Sequence, residues 1–307
     1  MSGATAMTKA RRSPAPAADP ESLGALVAAA AARFAVAGIG SARLDARLLA
    51  ARAFGVTPER LIGHPERRPT PAQRRRFAAL VARRAARQPI AHILGRREFW
   101  GLELRVGTAT LVPRPETETV VELALAVAGR RHALGDGGEL TILDLGTGSG
   151  CLLLALLSEL PDARGLGVDV STKALAIARD NARRLGLAGR ARFTTSDWGA
   201  QVDGRFDLVV ANPPYVADGD FAKLEAEVSR FEPRLALAGG ADGLAHYRAL
   251  APGLARLLKP EANVVLEAGD GQRDAVAAIL ERHGLKVSGV RADLAGRPRA
   301  IAATAAC

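Results

Sequence analysis

Apolar residues change their spacing three times along this chain, and each change marks a different kind of structure. From residue 22 to about residue 88 they recur every three or four positions, the period of amphipathic helices in a small bundle. Leu44, Leu48 and Leu49 share a face behind a candidate N-cap at Ser41, and that helix is expected to end near Gly55. Thr57-Pro58 and Thr70-Pro71 each set a capping hydroxyl ahead of a proline at the first helical position. The last helix gathers Phe77, Leu80, Val81 and Ala85 on one side and stops at Gln88-Pro89. Residues 96–112 alternate instead, so Glu98-Phe99-Trp100-Gly101 and the Leu102 to Val106 run read as a β-hairpin around a glycine turn. Pro113-Arg114-Pro115 closes it, and Glu116 opens a helix through about Val127.

From residue 140 short apolar runs alternate with helical ones. Residues 140–145, 165–168, 191–194, 206–211 and 263–267 read as strands, with late strands at 286–291 and 298–304. Helices are expected near 151–158, 171–185, 244–258 and 272–283. That order predicts an α/β, doubly wound domain with a mainly parallel sheet. The expected divisions are a disordered tail over 1–20, a helical domain over 21–93, a hairpin linker over 94–113 and the α/β domain over 114–307.

A length of 307 residues, with 48% hydrophobic and 24% charged, suits a globular chain of two domains. No apolar run reaches membrane-spanning length; a run such as 152–157 is core-sized. Two cysteines, Cys151 and Cys307, make neither a disulfide framework nor a metal cluster, which points to a reducing compartment and a cytoplasmic protein. The net charge of +10 is uneven. Residues 1–110 carry 19 Lys and Arg against 7 Asp and Glu, and residues 111–307 carry 23 against 25. The excess either suits an acidic or nucleic-acid-associated partner or reflects arginines that solvate helix faces. The basic tail lacks the apolar core of a secretory signal, and reads as disordered or as an organellar transit peptide.

The candidate chemistry sits at strand ends. Asp144-Leu145-Gly146-Thr147-Gly148-Ser149-Gly150 joins the first strand to its helix, and its glycines allow a tight turn and close approach of a ligand. The spacing lacks the third glycine position of a dinucleotide fingerprint, which disfavours NAD and fits S-adenosylmethionine, a ligand without a pyrophosphate. A tight turn with nothing bound is the bland alternative. Asp169 ends the second strand, where an acid can accept both ribose hydroxyls or cap the helix starting near Ser171. Ser196-Asp197-Trp198 follows the third strand and offers an acid for an adenine amine and a ring for the base face, or a rim tryptophan. Asn212-Pro213-Pro214-Tyr215 follows the fourth. Rigid prolines there leave the Asn212 side chain and the Pro213 carbonyl as two oxygens matched to the two hydrogens of a planar –NH2 group, unless the segment is an ordinary turn.

These residues, together with Gln88-Pro89-Ile90-Ala91-His92, Arg97-Glu98-Phe99-Trp100-Gly101, Leu111-Val112-Pro113-Arg114-Pro115-Glu116-Thr117-Glu118, Arg230-Phe231-Glu232-Pro233 and Asp242-Gly243-Leu244, give the chain its resemblance to the release factor glutamine methyltransferases (the PrmC/HemK family). The likeness covers nearly everything after the tail. Asn-Pro-Pro-Tyr alone is shared with enzymes that methylate DNA adenine or RNA guanine amines; the other motifs are the specific part. The resemblance implies a seven-stranded, Rossmann-like S-adenosylmethionine-dependent methyltransferase domain behind a helical domain. It implies methylation of the side-chain amide nitrogen of the Gln in the Gly-Gly-Gln motif of peptide-chain release factors. It assigns the methyl donor to Gly146, Thr147, Gly148, Ser149, Gly150, Asp169, Trp198 and Asn212.

For such an acceptor, Asn212 Oδ1 and the Pro213 carbonyl take both amide N–H bonds, Pro214 shapes the turn and Tyr215 lies along the amide plane. Asp207 is too far back along its strand to act as a base. Glu116 reads as a helix-start acid, Glu118 and Arg114 stay open, and Phe99 and Trp100 read as hairpin packing. No histidine shows metal spacing, so no metal is expected. A monomer suffices, and direct nucleic-acid contact is not required. The rivals are a nucleic-acid base methyltransferase, which would need base flipping, and a non-catalytic module that binds the donor.

Overall fold

A computed structural model describes residues 19–133 and 139–305. Most of the tail expected over 1–20, and Cys307, lie outside the described residues. The chain divides into two compact units, one ending at Arg87 and the other beginning at Gln88. That division falls a few residues before the boundary expected at residue 93.

The first unit holds α1 (Leu23–Val36), α2 (Ala42–Phe54), α3 (Pro58–Gly63) and α4 (Pro71–Ala85). Thr70 and Gln73 form a capping box at α4, each side chain bonded to the other's backbone N–H. Ser41 stands at the N-cap of α2, but its hydroxyl makes no capping bond. Phe34, Leu49, Phe54, Phe77 and Val81 are buried, with the Phe54 and Phe77 rings 5.0 Å apart. Arg84 donates to Asp45 at 2.7 Å, a buried pair tying α4 to α2.

The second unit opens with α5 (Ile90–Leu94) and the hairpin β1 (Arg96–Phe99) and β2 (Leu102–Arg105). Its two-residue turn needs a positive φ twice, and Trp100 accepts one (52°) beside Gly101 (70°). Glu118 pins that strained turn by accepting the Trp100 N–H at 2.9 Å. Phe99 and Leu104 are buried in the main core. Asn181 accepts the Arg105 N–H at 2.7 Å and returns a bond to its carbonyl. The hairpin therefore does more than link: it is a packed wall of the second unit.

A 3-10 turn (Pro115–Thr117) precedes α6 (Glu118–Ala133). Then follow β3 (Thr141–Leu145), α7 (Cys151–Glu159), β4 (Arg164–Asp169), α8 (Thr172–Arg184), β5 (Ala191–Thr195) and β6 (Phe206–Ala211). After the short α9 (Ala226–Phe231) come α10 (Ala245–Leu257), β7 (Leu258–Glu267), α11 (Arg273–Arg282), β8 (Leu285–Ala292) and β9 (Pro298–Ala305). Among the described residues the strands form a seven-stranded sheet in the order β5-β4-β3-β6-β7-β9-β8, parallel except at β9. Alternate residues face opposite layers: Ile142, Leu208 and Val210 join one core, and Leu143, Leu145, Val209 and Ala211 the other.

The order in which strands are added reverses between the parallel neighbours β3 and β6, which makes their carboxyl ends the switch point where open α/β sheets bind ligands. Register pairs Leu145 with Ala211, so Gly146 and Asn212 emerge side by side. Between Asn212 and α10 the chain makes an excursion over residues 217–237, built from α9 and two 3-10 turns. A parallel bridge of Val216 to Ala238 closes its base, with Val216 N–H on Leu237 O at 2.9 Å and Gly239 N–H on Val216 O at 2.8 Å.

Candidate active site

The switch point opens into a mostly apolar cavity of about 320 Å³. Gly146 turns out of β3 with φ 71°, and a Cβ there would lie 3.4 Å from the Trp198 ring. Trp198, itself at φ 49°, packs its ring 5.4 Å from that of His246. Asp169 braces the turn from the next strand: Oδ2 accepts the Gly148 N–H at 2.9 Å and Oδ1 the Ser171 N–H at 2.8 Å. The cap of α8 is Ser171, whose hydroxyl accepts the Ala174 N–H, so Asp169 is left facing the cavity. Gly146, Thr147, Gly148, Ser149, Asp169 and Trp198 all line the cavity, whereas Gly150 lies behind them against Leu154 and Ala178.

Asp144 sits under the turn, fully buried, and accepts the Thr147 hydroxyl at 2.6 Å. Burial pushes its carboxyl up to about 7; the Thr147 bond opposes the rise and nearby Asp169 adds to it. At the opposite end of the sheet Asp207 takes bonds from Thr141 and Lys259, which hold its carboxyl below the usual range against burial. It is far from the switch point and structural.

Of the signature residues, Asn212 and Pro214 line the cavity. Asn212 Nδ2 donates to Thr117 Oγ1 at 3.2 Å, which turns Oδ1 to the other side of the planar amide. Pro213 is buried and is not among the residues that line the cavity; a proline's polar group is its backbone carbonyl. Tyr215 does not line the cavity as expected; its hydroxyl donates to Glu267 Oε1 at 3.2 Å. Burial and the Glu267 charge keep the phenol protonated, above its ordinary range. The Tyr215 carbonyl takes the Gln272 amide at 3.0 Å, and a Cβ on Gly243 would come within 2.5 Å of the same carbonyl.

The residues left open by sequence find partners. Arg114 donates to Glu232 Oε1 at 2.6 Å, and Glu232 Oε2 accepts the Val112 N–H. This pair joins the 111–117 wall of the cavity to the excursion, from which Pro233, Leu235 and Ala236 also line the cavity. Glu118 holds the hairpin turn, and Glu116 is an exposed acid in the 3-10 turn. Two residues escaped sequence reasoning. Thr117 lines the cavity between motif acids, and Glu267 ends β7 beside Asn212 with 1% exposure. The signal for Glu267 was a carboxylate directly after the apolar run Val264-Val265-Leu266.

The cavity fits S-adenosylmethionine. A glycine turn without a pyrophosphate cradle, an acid placed for ribose hydroxyls, an indole over the turn and apolar walls match its parts. Among the described residues no group of His, Cys, Asp or Glu is gathered to hold a metal ion, and no helix is long and apolar enough to cross a membrane.

Residues 132–229 match the methyltransferase small domain family, and residues 25–95 match the PrmC N-terminal domain family. A structure titled as the hMettl16 catalytic domain in complex with MAT2A 3'UTR hairpin 6 shares the fold. Its TM-score is 0.55 at 17% identity, over 73% of this chain and 81% of that one. Fold and site together define an S-adenosylmethionine-dependent methyltransferase. A release factor glutamine methyltransferase of Rhodospirillum rubrum is 48% identical over 281 residues, 92% of this chain and 84% of that protein. One of Cereibacter sphaeroides is 46% identical over 276 residues, 90% of this chain and 95% of that protein. The chain belongs to the release factor glutamine methyltransferase family.

Proposed function

We propose that this protein methylates the side-chain amide nitrogen of the Gln in the Gly-Gly-Gln motif of a peptide-chain release factor, giving N5-methylglutamine. On this reading it works in the cytoplasm as a monomer and requires neither direct nucleic-acid contact nor a metal. The observation that carries the reading is Asn212 beside the glycine turn, its nitrogen engaged by Thr117 and its oxygen turned away from that bond.

Gly146, Thr147, Gly148, Ser149, Asp169 and Trp198 would hold S-adenosylmethionine, with Gly150 closing the turn and Asn212 shared with the acceptor. When bound, that cosubstrate supplies an electrophilic methyl group whose bond to sulfur breaks as the bond to the amide nitrogen forms. An amide nitrogen is a weak nucleophile because its lone pair is delocalised. Asn212 Oδ1 and the Pro213 carbonyl, accepting one N–H each, fix that nitrogen in line; such positioning is worth about 7–11 kcal/mol at best. The same two dipoles stabilise the positive charge that grows on nitrogen in the transition state, and that charge is discharged when one N–H proton leaves to solvent, giving the neutral methylamide. Tyr215, anchored on Glu267, holds the backbone of the signature rather than stacking on the substrate.

The test is uptake of labelled methyl from S-adenosylmethionine by release factor, DNA and ribosomal RNA offered in parallel. Uptake by release factor alone supports the reading, and uptake by nucleic acid alone refutes it. Asn212→Ala is expected to cut transfer by about 10²–10³-fold or more while the donor still binds.

A further inference from the structure

Register pairs Ala211 with Leu266, so the residues that leave β6 and β7 side by side are Asn212 and Glu267. Thr117 beside them is 2% exposed. It accepts the Asn212 amide N–H, and its hydroxyl is one of the groups that hold charge on the Glu267 carboxylate. Glu267 Oε1 takes the Tyr215 hydroxyl, and Oε2 is buried without a partner of regular hydrogen-bond geometry.

A hydroxyl has one proton and a carboxylate can only accept. Once the Thr117 proton is directed at Glu267, the Thr117 oxygen must receive its other bond, and within Asn212 only the nitrogen can supply it. A reversed Asn212 would meet an incoming –NH2 donor to donor. We propose that Thr117 and Glu267 are positioning residues, a one-way chain from Asn212 through Thr117 to the Glu267 carboxylate that locks Asn212 Oδ1 toward the –NH2 of a primary carboxamide. This rests on the carboxamide-methylation reading above.

Protonated Glu267 becomes a donor and the chain loses its direction. The groups facing it are Tyr215 after β6, Tyr247 on α10, Arg299 on β9, Glu116 in the 3-10 turn and Cys151 at the start of α7. Burial places the Glu267 transition at about 7, with Thr117, Tyr215 and Arg299 pulling it down and Glu116 pushing it up.

The experiment measures methyl transfer from labelled S-adenosylmethionine to full-length release factor across pH, with donor affinity by calorimetry. Thr117→Val is expected to lose about 10- to 100-fold in kcat/KM for release factor, with donor affinity kept and the rise of rate through pH 7 gone. Thr117→Ser, which restores the hydroxyl, is expected to recover most of the rate and the pH profile. A Thr117→Val enzyme as fast as wild type, with the same profile, overturns the chain and leaves the methylation reading standing. Wild type that labels only nucleic acid overturns the reading and the chain with it. If Thr117→Val does not fold, Glu267→Gln decides. Its amide can donate to Thr117 and reverse the chain, so the same loss is expected, and full activity refutes the proposal.

Discussion

Replacing Glu267 by Gln should make the protein slower and, above neutral pH, more stable. Burial raises the Glu267 carboxyl from 4.5 to about 7, against the hydrogen bonds of Thr117 and Tyr215. The folded chain therefore keeps a proton here that the unfolded chain has already released. The stability this confers is complete below pH 4.5 and is lost as pH climbs through about 7. Above that, the folded state carries a buried charge. At about 1.4 kcal/mol per pH unit, the cost reaches about 3 kcal/mol. Glutamine has nearly the same shape and stays neutral. Urea unfolding should thus give Glu267→Gln little advantage at pH 4.5 and about 2–3 kcal/mol at pH 8. Both tryptophans, Trp100 and Trp198, lie in the second unit, so their fluorescence reports that unit alone. An advantage of equal size at the two pH values, or a less stable variant at pH 8, refutes the reasoning.

Other perturbations reach other parts of the molecule. Phe99→Ala should cost about 3–5 kcal/mol by the same fluorescence assay, because Phe99 is core; a loss under about 1 kcal/mol would mean the hairpin is only a tether. Arg114→Ala leaves the buried Glu232 without its cation and should cost about 2–3 kcal/mol, less than a fully buried pair because Arg114 is partly exposed. Adding Glu232→Gln should recover much of that loss in the same urea titration. In the first unit, Arg84→Ala should cost about 3–5 kcal/mol by circular dichroism, since Asp45 is then buried and unpaired.

The glycine-turn side of the cavity was legible because its features are local. A glycine turn, an acid ending a strand and an aromatic after the next strand each follow from a few consecutive residues, and one sheet brings their strand ends together. Thr117 and Glu267 were not legible, since their meaning depends on β7 lying beside β6 in a register that places Glu267 next to Asn212. Tyr215 went astray for the same reason: without Glu267 in view, nothing indicated where its hydroxyl would turn. The excursion over 217–237 is made of short turns whose apolar residues have no sustained period, so no pattern announced it. The hairpin was visible, but its role as a wall depends on Asn181, 76 positions along the chain from Arg105.

The bridge between Val216 and Ala238 separates two tasks within one continuous chain. Because the loop leaves and re-enters at neighbouring points, a longer or differently sequenced excursion would lengthen only its own path, and Asn212 would stay where the sheet puts it. The wall carrying Pro233, Leu235 and Ala236 is thus a cassette that can change length while the sheet-borne half of the cavity keeps its form. Arg114 and Glu232 mark the seam where such a cassette must still register with the fixed half.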